Sequence, residues 1–220
     1  AGRQGFCDEA AKTASALMGT GQLSLTKPLV LADEDGSARE FTAVMRAVRE
    51  NFRPERDYLL LPGVPLDTLD FTIYRMNLGS KMVIDATRGE SDALHGRPGA
   101  DREAVLSAMG DSAQQGGAAL GDPAFYGVGE AGAGGGSRVP DPRQLERRVC
   151  EFVVIEDAMM VVKVAGEGRE VIETLVATDL GPIRIVAAVS QDVDLHDPDL
   201  MLWGVFTRFD CARDVTFTRS

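Results

Sequence analysis

The chain has 220 residues, 44% of them apolar, with 34 acidic against 23 basic side chains and a formal charge of −11. That balance excludes a polyanion as the main partner, because nucleic-acid binding is led by Lys and Arg on phosphates. No run reaches the roughly 20 apolar residues of a membrane-spanning helix. The first residues, AGRQGFCDEAAK, lack the apolar core of a signal peptide. Cys7, Cys150 and Cys211 are odd in number and form no CxxC pair, so neither a disulfide framework nor a zinc site is expected. The expectation is a reduced, cytoplasmic α/β protein.

In chain order, residues 28–32 (PLVLA) form an apolar strand, residues 38–51 a helix and residues 58–61 (YLLL) a second strand. Residues 61–71 (LPGVPLDTLDF) follow as a rigid loop at a strand's carboxyl end, where open α/β sheets place ligands. Residues 78–87 (LGSKMVIDAT) couple a Gly-Ser turn and Lys81 to another apolar strand. Residues 110–137 carry 10 of the 24 glycines and are expected to form a mobile linker. No Lys-Ser or Lys-Thr follows their glycines and no apolar strand precedes them, so they are not a phosphate-cradling loop.

Order is expected to return near Arg143. Residues 151–164 (EFVVIEDAMMVVKV) read as a β-hairpin turning at Glu156-Asp157, and residues 169–177 have helical spacing, stopped by Gly181-Pro182. Residues 183–189 form a strand. Asp197-Pro198-Asp199 starts a helix over residues 200–209, with Pro at its first position, and residues 215–218 form the next strand. The fold class is therefore α/β: two related strand–helix–strand modules, each a small, mostly parallel sheet flanked by helices. The division is 1–90, a linker over 91–142, and 143–220.

The two modules share one offset. A shift of 157 pairs Asp35 with Asp192, Val48 with Val205, Phe52 with Phe209, and Arg56-Asp57 with Arg213-Asp214. The same shift sets Lys27 against Arg184 and Arg46 against Trp203.

Visible chemistry is sparse. His95 and His196 stand in polar, loop-like surroundings without a nucleophile motif, so no catalytic triad is expected. Asp33-Glu34-Asp35 lacks the spacing of a calcium loop and reads as helix N-terminal acids. Lys27, between a Gly-rich turn and a strand, is either a point charge within reach of a phosphate or a solvated strand-edge lysine.

Taken in order, QLSLTKPLVLADED, FRPERDYLLLPGVPLDTLDF and NLGSKMVIDAT resemble the C-terminal domain of the UbiD-type decarboxylases, over roughly residues 1–90. WGVFTRFDCARD at 203–214 resembles the same family's tryptophan-bearing helix and Arg-Asp element, as in a second, degenerate copy. The resemblance implies reversible, non-oxidative decarboxylation of an aromatic or α,β-unsaturated acid with prenylated FMN and a divalent metal. The hard chemistry then belongs to the cofactor.

The family's Arg-Glu-Glu proton network and metal ligands are not recognisable here. No catalytic or metal-binding residue is therefore assigned, and the chain is expected to be the C-terminal portion of a longer enzyme, inactive alone. By position the resemblance makes Lys27 the contact to the flavin phosphate, and Phe71, Thr72 and Ile73 the loop closing over the substrate side. It implies as partners an upstream catalytic domain or a separate catalytic subunit, and a homo-oligomer, without nucleic acid or a membrane span. The alternatives are a free-standing assembly or regulatory subunit of such a complex, or an unrelated nucleotide-binding module, which the absence of a glycine fingerprint disfavours.

Overall fold

The computed structural model describes residues 9–33, 39–73, 75–88 and 139–217. Most of the predicted linker, together with His95, Cys7 and Glu34-Asp35, lies outside the described residues.

Helix α1 (Glu9–Met18) leads through a 3₁₀ turn (Gly21–Leu25) into β1 (Pro28–Leu31), α2 (Phe41–Asn51), β2 (Tyr58–Pro65) and β3 (Leu78–Asp85). After the linker come α3 (Pro142–Leu145), β4 (Val149–Ile155), β5 (Met159–Val164), α4 (Gly168–Val176), β6 (Ile185–Val189), α5 (Pro198–Thr207) and α6 (Cys211–Asp214). Apart from the strand expected over residues 215–218, the expected elements are present, with shifted ends. Residues 61–65, expected in a loop, continue strand β2, and Gly79-Ser80, expected to turn, lies within β3. Residues 215–217, expected as a strand, pair with nothing in the sheets.

Each half builds a three-stranded sheet, in the orders β1-β3-β2 and β4-β5-β6. The strand–helix–strand pattern makes β1 and β2 parallel neighbours, yet β3 lies between them, parallel to β1 and antiparallel to β2. Proline explains the choice. Pro28 opens β1, and Pro62 and Pro65 lie in β2, so both suit an edge. The proline-free, almost wholly buried β3 can donate to ladders on both sides. In the second sheet β5 (MMVVKV) takes the same central place, antiparallel to β4 and parallel to β6. Its hairpin turns where the sequence places it: Glu156 and Asp157 both have φ of 51°, the two positive angles of a primed turn, which the Ala158 amide closes by donating to the Ile155 carbonyl (2.9 Å).

The period-2 alternation of each sheet gives two faces. Inward residues of the first sheet (Tyr58, Leu60, Met82, Ile84) and of the second (Val153, Ile155, Met159, Val161) meet in one core. Met45 and Val48 of α2 and Met201 of α5 complete it. The outer face of the first sheet packs Val83, Leu29 and Leu31 against Ala14 and Met18 of α1. The outer face of the second sheet packs Met160 and Val162 against Val171 and Leu175 of α4. Asp197 caps α5 by accepting from the amides of Asp199 and Leu200, with Pro198 at the first helical position as expected.

The 157-residue offset recurs as geometry. Asp57 Oδ2 accepts from the Arg53 amide (2.9 Å) while Arg56 Nε donates to Asp57 Oδ1 (2.6 Å). Asp214 Oδ2 accepts from the Asp210 amide (2.8 Å) while Arg213 Nε donates to Asp214 Oδ1 (2.8 Å). Asp35, one of the matched positions, lies outside the described residues.

Candidate functional site

Lys27 stands at the start of β1 and is buried, 8% exposed. Its ammonium pairs with Asp70 Oδ2 at 2.6 Å and donates to the Phe209 carbonyl (2.8 Å) and to Thr72 Oγ1 (3.3 Å). It also lies 5.3 Å from the centre of the Phe209 ring. Three donors thus meet three acceptors. Burial pushes the Asp70 carboxyl up, but the hydrogen bonds from Lys27 and Thr72 outweigh it and hold Asp70 below the ordinary carboxylate range.

The β2–β3 loop is fastened at this point. Asp70 Oδ1 accepts from both the amide (2.9 Å) and the hydroxyl (2.6 Å) of Thr72, a local turn of the kind short polar side chains favour. Arg213 Nη1 donates to the Thr72 carbonyl at 3.2 Å. Ser80 Oγ, on β3, donates to Asp210 Oδ2 (2.8 Å) and accepts from the Ala212 amide (2.9 Å). A junction therefore joins the loop, β1 and β3 to the α6 segment of the second half.

Beyond the junction the loop turns outward. Phe71 is 93% exposed, Met76 82% and Leu69 72%. Leu66 and Ile73 fold back over Gly79, where an added Cβ would stand 2.4 Å from Leu66 Cδ1 and 2.7 Å from Ile73 Cγ2. Of the residues expected at a site, Lys27 and Thr72 are in contact, Ile73 lines a neighbouring cavity and Phe71 faces solvent. Asp70, Ser80, Phe209, Asp210 and Arg213 were not foreseen at the site. In the sequence Phe209 and Arg213 are visible only as members of the repeat pairs.

Two cavities flank the junction. One, of about 260 Å³, is lined by Thr72, Ile73, Arg75, Ser80, Asp210 and Arg213 among others. The other, of about 320 Å³, opens on the α1 side of the first sheet and is lined by Met18, Gly19, Ser24, Leu61, Val64, Pro65 and Lys81. Lys81 is 3% exposed and burial lowers its pKa. Cys211, 1% exposed, has its thiol pushed up to about 12, chiefly by burial, with Lys27 opposing and Asp210 adding to the rise.

Among the described residues no group of three or more His, Cys, Asp or Glu side chains could hold a metal ion. His196 Nε2 lies 2.8 Å from Glu151, and Asp33 pairs with Arg88 at 2.8 Å. No helix among the described residues is long and apolar enough to cross a membrane.

A protein of Archaeoglobus fulgidus, itself uncharacterised, is 44% identical over 80 residues, 36% of this chain and 17% of that protein. One from Aeropyrum pernix, also uncharacterised, is 44% identical over 77 residues, covering 35% of this chain and 16% of its own length. The chain thus spans about a sixth of the length of these relatives. Among solved structures, vanillic acid decarboxylase of Sedimentibacter hydroxybenzoicus in its closed form is 21% identical, with a TM-score of 0.39, over 50% of this chain and 24% of that one. The UbiD-class enzyme HmfF of Pelotomaculum thermopropionicum, solved in complex with FMN, is 22% identical, with a TM-score of 0.35, over 46% of this chain and 20% of that one. The profile of the 3-octaprenyl-4-hydroxybenzoate carboxy-lyase C-terminal domain matches residues 3–86 and 146–220, well over half of the sequence, and the chain belongs to that family.

Proposed function

We propose that this chain acts as the C-terminal part of a UbiD-like carboxy-lyase, in the reversible, non-oxidative decarboxylation of an aromatic or α,β-unsaturated acid. The observation that carries the reading is the fastened loop. A family member needs a rigid surface to meet a separate cofactor-holding region, and here a buried ion pair anchors a loop that holds Leu69, Phe71 and Met76 out to solvent. Exposed apolar side chains on an anchored loop favour a covering partner over water. Phe71, Thr72 and Ile73 are the residues offered to the substrate side.

Prenylated FMN, when bound, supplies the electron sink for the carbon–carbon cleavage. The chain's own residues suit its phosphate end, which needs a cation. Lys27 meets a phosphate only by exchanging Asp70 for it. The divalent metal belongs to the partner region, which is either the same polypeptide or a separate subunit. Leu200 and Trp203, three residues apart on α5 and 52% and 65% exposed, are available for assembly into a homo-oligomer.

The test compares carbon dioxide release from aromatic and acrylic acids. The 220-residue chain alone, given prenylated FMN and a divalent metal, is expected to be inactive. Co-expression with a cofactor-binding domain of a family member should give turnover, reduced by Phe71→Ala. Turnover by the chain alone overturns the reading. A stable complex that never turns over points instead to an assembly subunit.

A further inference from the structure

Asp70 gathers a donor set of the kind that binds anions. Its Oδ2 takes the Lys27 ammonium (2.6 Å), and its Oδ1 takes the amide (2.9 Å) and the hydroxyl (2.6 Å) of Thr72. A cation, a main-chain N–H and a hydroxyl also suit a phosphate oxygen. Here the anion that fills the set belongs to the chain itself. The Lys27 and Asp70 side chains are each 9% exposed, so no external anion reaches the ammonium while the carboxylate stays. Burial raises the Asp70 pKa, but the hydrogen bonds from Lys27 and Thr72 outweigh it, and the group competes as a full anion.

The donors and the carboxylate are not held alike. Lys27 is fixed without Asp70, because its own carbonyl accepts from the Met82 amide (3.1 Å) and its ammonium donates to the Phe209 carbonyl (2.8 Å). Thr72 is held from behind, where Arg213 Nη1 donates to its carbonyl (3.2 Å) and the neighbouring Ile73 folds over Gly79. Asp70 stands on the other side of that anchor. Its amide donates to the Asp67 carbonyl (3.1 Å) and the Leu69 amide to Asp67 Oδ1 (2.9 Å), both bonds within one turn. Among the described residues, the bonds of the Asp70 carboxylate are the only hydrogen bonds that tie residues 67–71 to the rest of the chain. Leu69 and Phe71 are 72% and 93% exposed and add little packing.

We propose that Asp70 is a built-in stand-in for a phosphate and the latch of the β2–β3 loop. A phosphate monoester arriving at Lys27 replaces the carboxylate on the same three donors, and residues 67–71 swing away, carrying Phe71. The proposal rests on the decarboxylase reading, in which the monoester is the flavin cofactor's phosphate. Phe71, adjacent to the latch, then takes its place on the substrate side only after the cofactor is seated. The coupling is reciprocal: the factor by which Asp70 holds the loop is the factor by which it weakens phosphate binding.

Equilibrium dialysis of the 220-residue chain against FMN and against riboflavin, which lacks the phosphate, tests this. Asp70→Asn keeps the size of the side chain and removes the competing charge. It should tighten FMN binding by about tenfold or more and leave riboflavin unchanged, whereas Lys27→Met should erase the preference for FMN. Loop release is read separately by chymotrypsin. Saturating FMN should speed cleavage after Leu69 or Phe71 severalfold in the unaltered chain, where a ligand that only stabilised the fold would slow it. Should Asp70→Asn fail to fold, the cleavage rate of the unaltered chain decides alone. FMN binding to Asp70→Asn that is equal to or weaker than to the unaltered chain overturns the latch, as does cleavage that FMN slows or leaves unchanged. A preference for FMN that Lys27→Met erases would then leave the phosphate contact of Lys27 standing. If neither the unaltered chain nor Asp70→Asn prefers FMN to riboflavin, the latch and that contact fall together.

Discussion

Replacing Lys27 by Met keeps the length of the side chain and removes its charge. Asp70 is then left 9% exposed in its side chain, without the ammonium at 2.6 Å, and the Phe209 carbonyl loses a donor. Breaking a buried pair from one side costs about 3–5 kcal/mol, because the remaining charge is stranded in a poor solvent. For a chain of this length that corresponds to a Tm lower by about 6–20 °C. Urea unfolding of Lys27→Met, Asp70→Leu and the double variant measures it, read as a shift in midpoint at unchanged slope. The double variant should recover much of the loss, since no stranded charge remains. pH provides an independent axis. Asp70 has its folded pKa below its unfolded value, so the stability it contributes is present above the unfolded pKa and is lost as pH falls through the folded one. The gap between wild type and Lys27→Met should therefore narrow below about pH 4. A Lys27→Met cost within about 0.5 kcal/mol, the range of a surface substitution, would refute a stabilising role for the buried pair.

Gly79→Ala should destabilise by about 1–3 kcal/mol in the same urea assay, because its Cβ would clash with Leu66 and Ile73 and push the loop off β3. Asp57→Asn and Asp214→Asn remove equivalent acceptors, and each should cost about 1–3 kcal/mol; a loss at only one of them would break the equivalence of the two motifs. Iodoacetamide at pH 8 should alkylate exposed Cys150 and spare buried Cys211, whose thiol titrates at about 12; mass spectrometry of the folded protein that finds Cys211 modified contradicts its burial.

Local signals carried far in this sequence. The Glu156-Asp157 turn, the Asp197-Pro198 helix start and the apolar runs of β3 and β5 are each decided within a few residues, and the structure places a turn, a helix start and two strands there. What was not legible is non-local. Nothing adjacent to Lys27 announces Asp70, 43 positions on, or the Phe209 carbonyl, 182 positions on. The order of the strands also needs information beyond spacing. A strand–helix–strand run is read as two neighbours, but the later β3 outcompetes β2 for the central place because β2 carries prolines. Likewise Lys27 reads as a free cation because a sequence shows charges without their partners.

The repeat extends beyond the gapless offset. In strand order and sense, β2, β3 and β1 of the first sheet correspond to β4, β5 and β6 of the second. The chain reaches the hairpin after β1 in one half and before β6 in the other, so the second half is a permuted version of the first. A gapless comparison follows β1–α2 onto β6–α5 and on to Asp57 and Asp214, while the β2–β3 hairpin of the first half has its counterpart before β6, in β4–β5. Through the parallel registers, Met82 falls on Met159 and Ile84 on Val161, and all four contribute to the shared core. By the same correspondence Lys81 falls on Ala158, and the offset places Lys27 on Arg184. The loop of residues 66–77 falls on the tight Glu156-Asp157 turn. Core positions thus repeat in kind, whereas both buried lysines and the outward loop occur once, all on the first sheet. Packing demands the same of both halves; the asymmetry is confined to the residues that packing does not require.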